Sequence, residues 1–110
     1  NAFGYSKDGL AAAYRYESAF RQVLWLNLIL IVLTFILNFD SATKMLLIIA
    51  SFVSLITELF NTAVEAAVDA SSTEKHELAK RAKDAGSAAQ LLALTMLGIV
   101  WAIALWRGYV

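Results

Sequence analysis

The chain has 110 residues, enough for one domain, and its 60% hydrophobic and 16% charged residues are too apolar a balance for an ordinary soluble domain of this size. Nine Lys and Arg offset nine Asp and Glu, so the net charge is zero, no basic tract alternates with aromatics, and nothing argues for a nucleic-acid partner. The absence of cysteine excludes disulfides, zinc-thiolate sites and thiol catalysis, and the absence of proline removes a common interruption of membrane helices.

The chain opens on Asn1 and not on Met, so residues upstream are expected to be missing, and no cleavable signal peptide is visible. Residues 1–22, NAFGYSKDGLAAAYRYESAFRQ, are polar-amphipathic. The spacing predicts a helix over Asp8–Arg21 lying in the membrane interface, with Leu10, Ala13, Tyr14, Ala19 and Phe20 on its apolar side and its aromatics at headgroup level. Glu17 and Arg21 stand i,i+4, a spacing at which they can pair. Val23–Phe39 reads as a first span of about 17 residues, with Asn27 expected to hydrogen-bond across helices. Asp40 or Ser41 can cap the helix that follows.

Met45–Val68 is a second span of about 24 residues, long enough to cross with tilt. Ser71 with Glu74 fits a capping box, and residues 70–84 read as a charged loop carrying His76, Lys83 and Asp84. The third span, residues 85–106, opens on Ala85, Gly86, Ser87, Ala88 and Ala89, small residues that allow helix backbones to approach closely. Trp25, Trp101, Trp106 and Tyr109 are expected to act as interfacial anchors. The pattern predicts an all-α integral membrane protein, three transmembrane helices preceded by an amphipathic interfacial helix. Lys7, Arg15, Arg21, Lys75, Lys80, Arg81 and Lys83 fall on one side of such a chain and only Lys44 and Arg107 on the other, which makes the N-terminus and the 70–84 loop cytoplasmic.

The second span carries an unusual load. At ~100° per residue, Glu58, Asn61, Glu65 and Asp69 fall within one narrow stripe, which Ser51 and Ser54 extend backward. Phe52, Ile56, Phe60, Ala63 and Ala67 occupy the other side and suit lipid or a neighbouring helix. A carboxylate near the bilayer centre costs about 2.5–3.5 kcal/mol on insertion scales, so the stripe needs a partner cation, a bound metal or a proton that must move. Glu17, Glu58, Glu65 and Asp69 converge near one membrane face, and carboxylates from separate helices are hard oxygen ligands suited to Mg²⁺. Lys83 and Asp84 can reach phosphates or a metal, whereas a loop histidine such as His76 is most often plain surface. No Walker glycine loop, protein-kinase signature, HExxH or GxSxG is present. The residues alone therefore leave three readings open: a metal-dependent membrane enzyme, a proton or cation pathway subunit, and a scaffold with ion-paired carboxylates.

ESAFRQ (Glu17–Gln22), ELFNTAVEAAVD (Glu58–Asp69) and EKHELAKRAKDAGSAA (Glu74–Ala89), followed by an aromatic-rich third span, resemble the prokaryotic diacylglycerol kinases over nearly the whole chain. The first motif favours the diacylglycerol-using over the undecaprenol-using branch. The resemblance implies a homotrimer of the bacterial inner membrane, with sites shared between chains, that transfers the γ-phosphate of Mg·ATP to diacylglycerol. It implies Glu58 as general base, Glu17 and Glu65 as metal-coordinating carboxylates, and Asn61 in support between the two helix glutamates. Nucleotide contacts are implied for Tyr5, Glu17, Glu65, Glu74, Lys75, His76, Lys83 and Asp84. Lipid-side positions are implied for Tyr5, Ser6, Ala13, Tyr14, Ala19, Phe20, Arg21, Gln22, Lys44, Glu58, Ser87 and Trp101. Three places depart from the pattern: Val23 stands where the best-known relative has an acid, Ala70 and Lys75 replace Arg and Tyr, and the family's basic residue upstream of GYS is absent from this chain.

Overall fold

Three long apolar runs and one amphipathic segment form four α-helices in the computed structural model, which describes residues 1–71 and 76–109. They are α1 (Ala2–Tyr16), α2 (Ser18–Ile36), α3 (Ser41–Ser71) and α4 (Glu77–Tyr109). The last three are long and apolar enough to cross a membrane. At ~1.5 Å per residue α2 is about 28 Å long and matches a hydrocarbon core, while α3 and α4, at about 46 and 50 Å, outrun it. Helix α3 is central, packed against α2 on one side and α4 on the other, whereas α1 leans on α2.

The amphipathic segment differs from the expected Asp8–Arg21 helix. It starts at Ala2, capped by the Asn1 side chain accepting from Gly4 N–H at 2.7 Å, and it stops at Tyr16. Glu17 is extended, with φ −118° and ψ 106°, and separates α1 from α2. Arg21 does not pair with Glu17: its guanidinium donates to the carbonyls of Tyr14 at 2.6 Å and Arg15 at 3.2 Å. The last carbonyls of a helix lack intrahelical partners, and Arg21 supplies them across the break. Arg15 lies over the Tyr16 ring at 5.3 Å, and Trp25 Nε1 donates to the Tyr14 hydroxyl at 3.4 Å.

The second difference is in the charged segment read as a 70–84 loop. Residues 77–84 continue α4 without a break, because Lys80 pairs with Asp84 at 2.7 Å and Arg81 with Glu77 at 3.7 Å along one helical face. Glu74 and Lys75, and with Glu74 the expected capping box, lie outside the described residues.

The bundle core is divided by polarity. At the end holding the α2–α3 turn, Phe39, Leu47, Ala50, Leu97, Trp101 and Ala104 form an apolar cluster. The Phe39 ring meets Trp101 and Tyr109 edge-on, each at 5.9 Å, and the Tyr109 hydroxyl accepts from Asn38 N–H at 2.7 Å. Trp101, expected as an interfacial anchor, is thus a core residue, because its ring closes on Phe39; Trp106, by contrast, is 70% exposed. Asp40 accepts from Thr43 N–H at 3.1 Å and caps α3, and the hydrogen bonds from Thr43 hold its carboxyl below the usual carboxylate range. Toward the other end polar residues join the core: Asn27, Ser51, Ser54, Glu58 and Gln90 are buried, as are Phe20, Val23 and Ala93, while Thr34 is buried nearer the turn.

The aromatic lock at the far end sets a stability prediction. Phe39→Ala should destabilise the protein by about 3–5 kcal/mol, the usual cost of deleting a buried ring. Thermal unfolding in detergent would show it, with turnover per folded molecule unchanged because Phe39 lies at the end of the bundle away from the acidic cleft.

Candidate functional site

The polar half of the core opens into a cleft of about 290 Å³ between α2, α3 and α4, lined among others by Glu17, Glu58, Asn61, Glu65, Ser87 and Gln90. Helical periodicity places Glu58, Asn61 and Glu65 on the inner flank of α3, as the stripe predicts, while Phe52, Ile56 and Phe60 are exposed on the outer flank. Glu17 reaches the same cleft from the break between α1 and α2. It caps α2 through its backbone alone, so its carboxylate is not spent on capping. Glu58 is the most enclosed of the three, at 5% exposure, and the charges of Glu65 and Glu17 both bear on it.

Asn61 joins the carboxylates to α4. Its Nδ2 donates to Glu65 Oε1 at 3.1 Å, while its Oδ1 is buried without a partner among the described residues. Gly86 makes the room: a Cβ there would collide with Asn61 Oδ1 and come within 3.4 Å of its Cγ. The small residues opening the third span therefore serve close approach at this position. Gly86→Ala should turn the Asn61 amide away from Glu65 and lower activity about tenfold, with a stability loss of about 1–2 kcal/mol. Adding Asn61→Ala to it should restore the thermal midpoint but not the activity.

Gln90 escaped the sequence reading. It is 6% exposed, donates through Nε2 to the Ser54 carbonyl at 3.2 Å, and lines the cleft together with Glu58. The available signal was that Gln90 is the one amide inside an otherwise apolar run. Asn27 fulfils its expected role, with Nδ2 donating to Ser54 Oγ at 2.8 Å from α2.

At the aqueous end of the stripe, Lys83 Nζ meets Asp69 Oδ1 at 2.6 Å and ties α4 to α3. Asp84 is engaged by Lys80. His76 precedes α4, its carbonyl accepting from Lys80 N–H at 3.0 Å, and borders a separate hollow with Val68 and Ser71. Ala19 and Ser87 line the acidic cleft. Ser6 and Ala13 line an apolar groove of about 580 Å³ between α1 and α3, which shares Glu17 and Thr62 with the cleft. Phe20 is fully buried, whereas Tyr5 and Gln22 are exposed. Lys44 and Trp101 are not brought to the cleft: Lys44 is 14 residues before Glu58 on α3, about 21 Å along the axis, and Trp101 is 11 residues beyond Gln90 on α4, about 16 Å. Among the described residues no three His, Cys, Asp or Glu side chains form a ready metal cage.

Comparison with known proteins shows the family. Residues 4–105 match the family described as prokaryotic diacylglycerol kinase. A diacylglycerol kinase of Pseudomonas aeruginosa is 49% identical over 102 residues, covering 93% of this chain and 83% of that protein. One of Helicobacter pylori is 49% identical, covering 91% and 78%, and one of Escherichia coli is 46% identical, covering 98% and 88%. With a match running from the first turn of α1 almost to the end of α4, through every residue of the acidic cleft, the chain belongs to the prokaryotic diacylglycerol kinase family.

Proposed function

We propose that this protein is an ATP-dependent diacylglycerol kinase, transferring the γ-phosphate of ATP to the hydroxyl of 1,2-diacylglycerol to give phosphatidic acid and ADP. The observation that carries the reading is the junction of two cavities of opposite character. The acidic cleft and the apolar α1–α3 groove meet at Glu17 and Thr62. A substrate with greasy chains and one reactive hydroxyl needs that junction, since its chains can remain in the groove while its head enters the cleft.

Glu58 serves as general base. It lies about 10 Å deeper along α3 than Glu65, seven residues at ~1.5 Å each, and so faces the lipid hydroxyl while Glu65 lies nearer water and nucleotide. The lipid O–H proton passes to the Glu58 carboxylate as the oxygen bonds to the γ-phosphorus. The bond from that phosphorus to the bridging oxygen breaks, and ADP leaves with the electron pair. Phosphoryl transfer depends on alignment and charge neutralisation more than on covalent help. Lys83 supplies positive charge when it exchanges Asp69 for phosphate, and the nucleotide reaches Tyr5, His76 and Asp84 along the aqueous ends of the helices.

The donor set fits Mg²⁺. Two carboxylates from different elements, Glu17 and Glu65, border one cleft. A magnesium ion uses one or two protein carboxylates and takes its remaining ligands from water and phosphate, so a complete protein cage is not required. When bound it would neutralise phosphate charge.

The chain is placed in the bacterial inner membrane as a homotrimer, with α1 in the interface and the spans at residues 23–39, 45–68 and 85–106. Less than a third of each span is buried against its neighbours, which leaves wide apolar faces for lipid and for other copies. Asp40, Lys44 and Arg107 sit at the end opposite the acidic cleft, so the sparse positive charge there supports a cytoplasmic cleft. The apolar cluster beyond Ser51 closes the far half of the core and weighs against a proton or cation pathway.

The test is substrate competition: purified protein with Mg·ATP and mixed diacylglycerol and undecaprenol should form phosphatidic acid in large excess over the polyprenyl phosphate. Preferential phosphorylation of undecaprenol would move the protein to the other branch, and ion flux in liposomes without ATP would replace the kinase reading.

A further inference from the structure

Gln90 is a costly residue to bury. Its side chain is buried between α3 and α4 at the edge of the cleft, and its Oε1 has no hydrogen-bond partner among the described residues. A buried acceptor without a protein partner is costly, so packing alone does not explain an amide at this position. An apolar side chain of the same length would fill the space at lower cost.

Its nitrogen, by contrast, is anchored. Nε2 donates to the Ser54 carbonyl at 3.2 Å, and Gln90 borders the same cleft as Glu58, whose side chain leans back over the Ser54 turn. Ser54 is one helical turn before Glu58 on α3, and its carbonyl already belongs to the helix ladder. The added bond therefore fixes the Gln90 amide and is not needed to satisfy the backbone. The same turn of α3 is held from the opposite side by Asn27, whose Nδ2 reaches Ser54 Oγ at 2.8 Å, while Ser54 Oγ donates to the Ser51 carbonyl at 2.8 Å. Three helices thus converge on the turn preceding Glu58, and Gln90 is the neutral side chain that joins this turn to the cleft Glu58 lines.

We propose that Gln90 is a positioning residue: its anchored amide N–H holds one oxygen of the Glu58 carboxylate so that the other is presented to the lipid hydroxyl. This rests on the reading of Glu58 as the proton acceptor. A glutamate side chain has three freely rotating bonds, and a base must present a lone pair within hydrogen-bond reach of the proton it takes. Gln90 removes that freedom without adding charge to the cleft. A loss of this kind falls on turnover and leaves substrate binding intact.

The experiment uses the full chain in detergent micelles with diacylglycerol and Mg·ATP. Gln90→Met keeps length and shape and removes the amide. It should lower kcat about tenfold, with KM for both substrates within about twofold, because misplacing a reacting group costs rate and not affinity. Glu58→Asp retracts the carboxylate from the amide, so Gln90→Met placed on top of it should lower kcat by no more than about twofold further, the non-additivity expected of residues acting through one contact. Should Gln90→Met fail to fold, Gln90→Leu carries the same comparison. Turnover within twofold of wild type in the amide-free variant, a full multiplicative loss in the double variant, or a loss confined to KM would overturn the proposal. Glu58→Gln separates the two readings. If it remains fully active, the base assignment falls; if it is inactive while Gln90→Met is fully active, only the role of Gln90 falls.

Discussion

Glu58→Gln is expected to lower phosphatidic acid formation by about 10²- to 10⁴-fold, the range that a positioned general base contributes. The amide has nearly the shape of the carboxylate but cannot take up a proton from an alcohol. The fold should survive, because an amide at this position can still hydrogen-bond with Gln90 and removes a negative charge from the company of Glu17 and Glu65. Oligomer size in detergent and KM for Mg·ATP should stay at wild-type values, since Glu58 is the enclosed member of the cleft, farthest from the aqueous ends of α3 and α4. Wild-type turnover in this variant would remove Glu58 as the base. Loss of assembly instead of turnover would favour the scaffold reading, in which the carboxylates only hold helices together.

The second large effect belongs to Glu65. Glu65→Gln should raise the Mg²⁺ concentration for half-maximal rate at least about tenfold, since even the outer partners of metal ligands are worth 10- to 100-fold in affinity. The expectation comes from the joint position of two carboxylates: Glu65 and Glu17 border one cleft from different elements. Asn61 Nδ2 already donates to Glu65 Oε1, so the glutamate is held by an amide that would also accept a glutamine in its place. The replacement therefore subtracts charge without collapsing the geometry. KM for diacylglycerol should not move, because Glu65 does not line the apolar groove that Glu17 and Thr62 share with the cleft. An unchanged metal dependence would count against Glu65 as a ligand and leave Glu17 to carry the metal with water.

The two predictions read different depths of one helix flank. Along α3 the buried residues pass from Leu47 and Ala50 through Ser51 and Ser54 to Glu58, and then to half-buried Asn61 and Glu65. The order matches the change of medium from hydrocarbon to water, and it explains how one short bundle can address a lipid alcohol and a nucleotide from the same face. Asn27 and Gln90 contribute the polar groups of α2 and α4 at the level where the change occurs.

What could be read from the amino acids alone was the set of three spans, the acidic stripe and its inward direction, the cross-helix bond of Asn27, the Asp40 cap and the family. Each follows from period, composition or motif, which depend only on neighbours along the chain. Four features were decided by packing. The break at Glu17 has no Pro or Gly to announce it; α1 leaves the line of α2 and forms a groove with α3, and Arg21 supplies its last carbonyls. The charged residues 77–84 remain helical beside α3, to which Lys83 ties them through Asp69. Trp101 looks like a membrane-surface anchor until Phe39 closes on it, and Gln90 looks like an isolated polar residue until α3 brings Ser54 and Glu58 beside it. Hydrophobic periodicity states which face of a helix is polar; only the contact between α3 and its two neighbours states what that face meets.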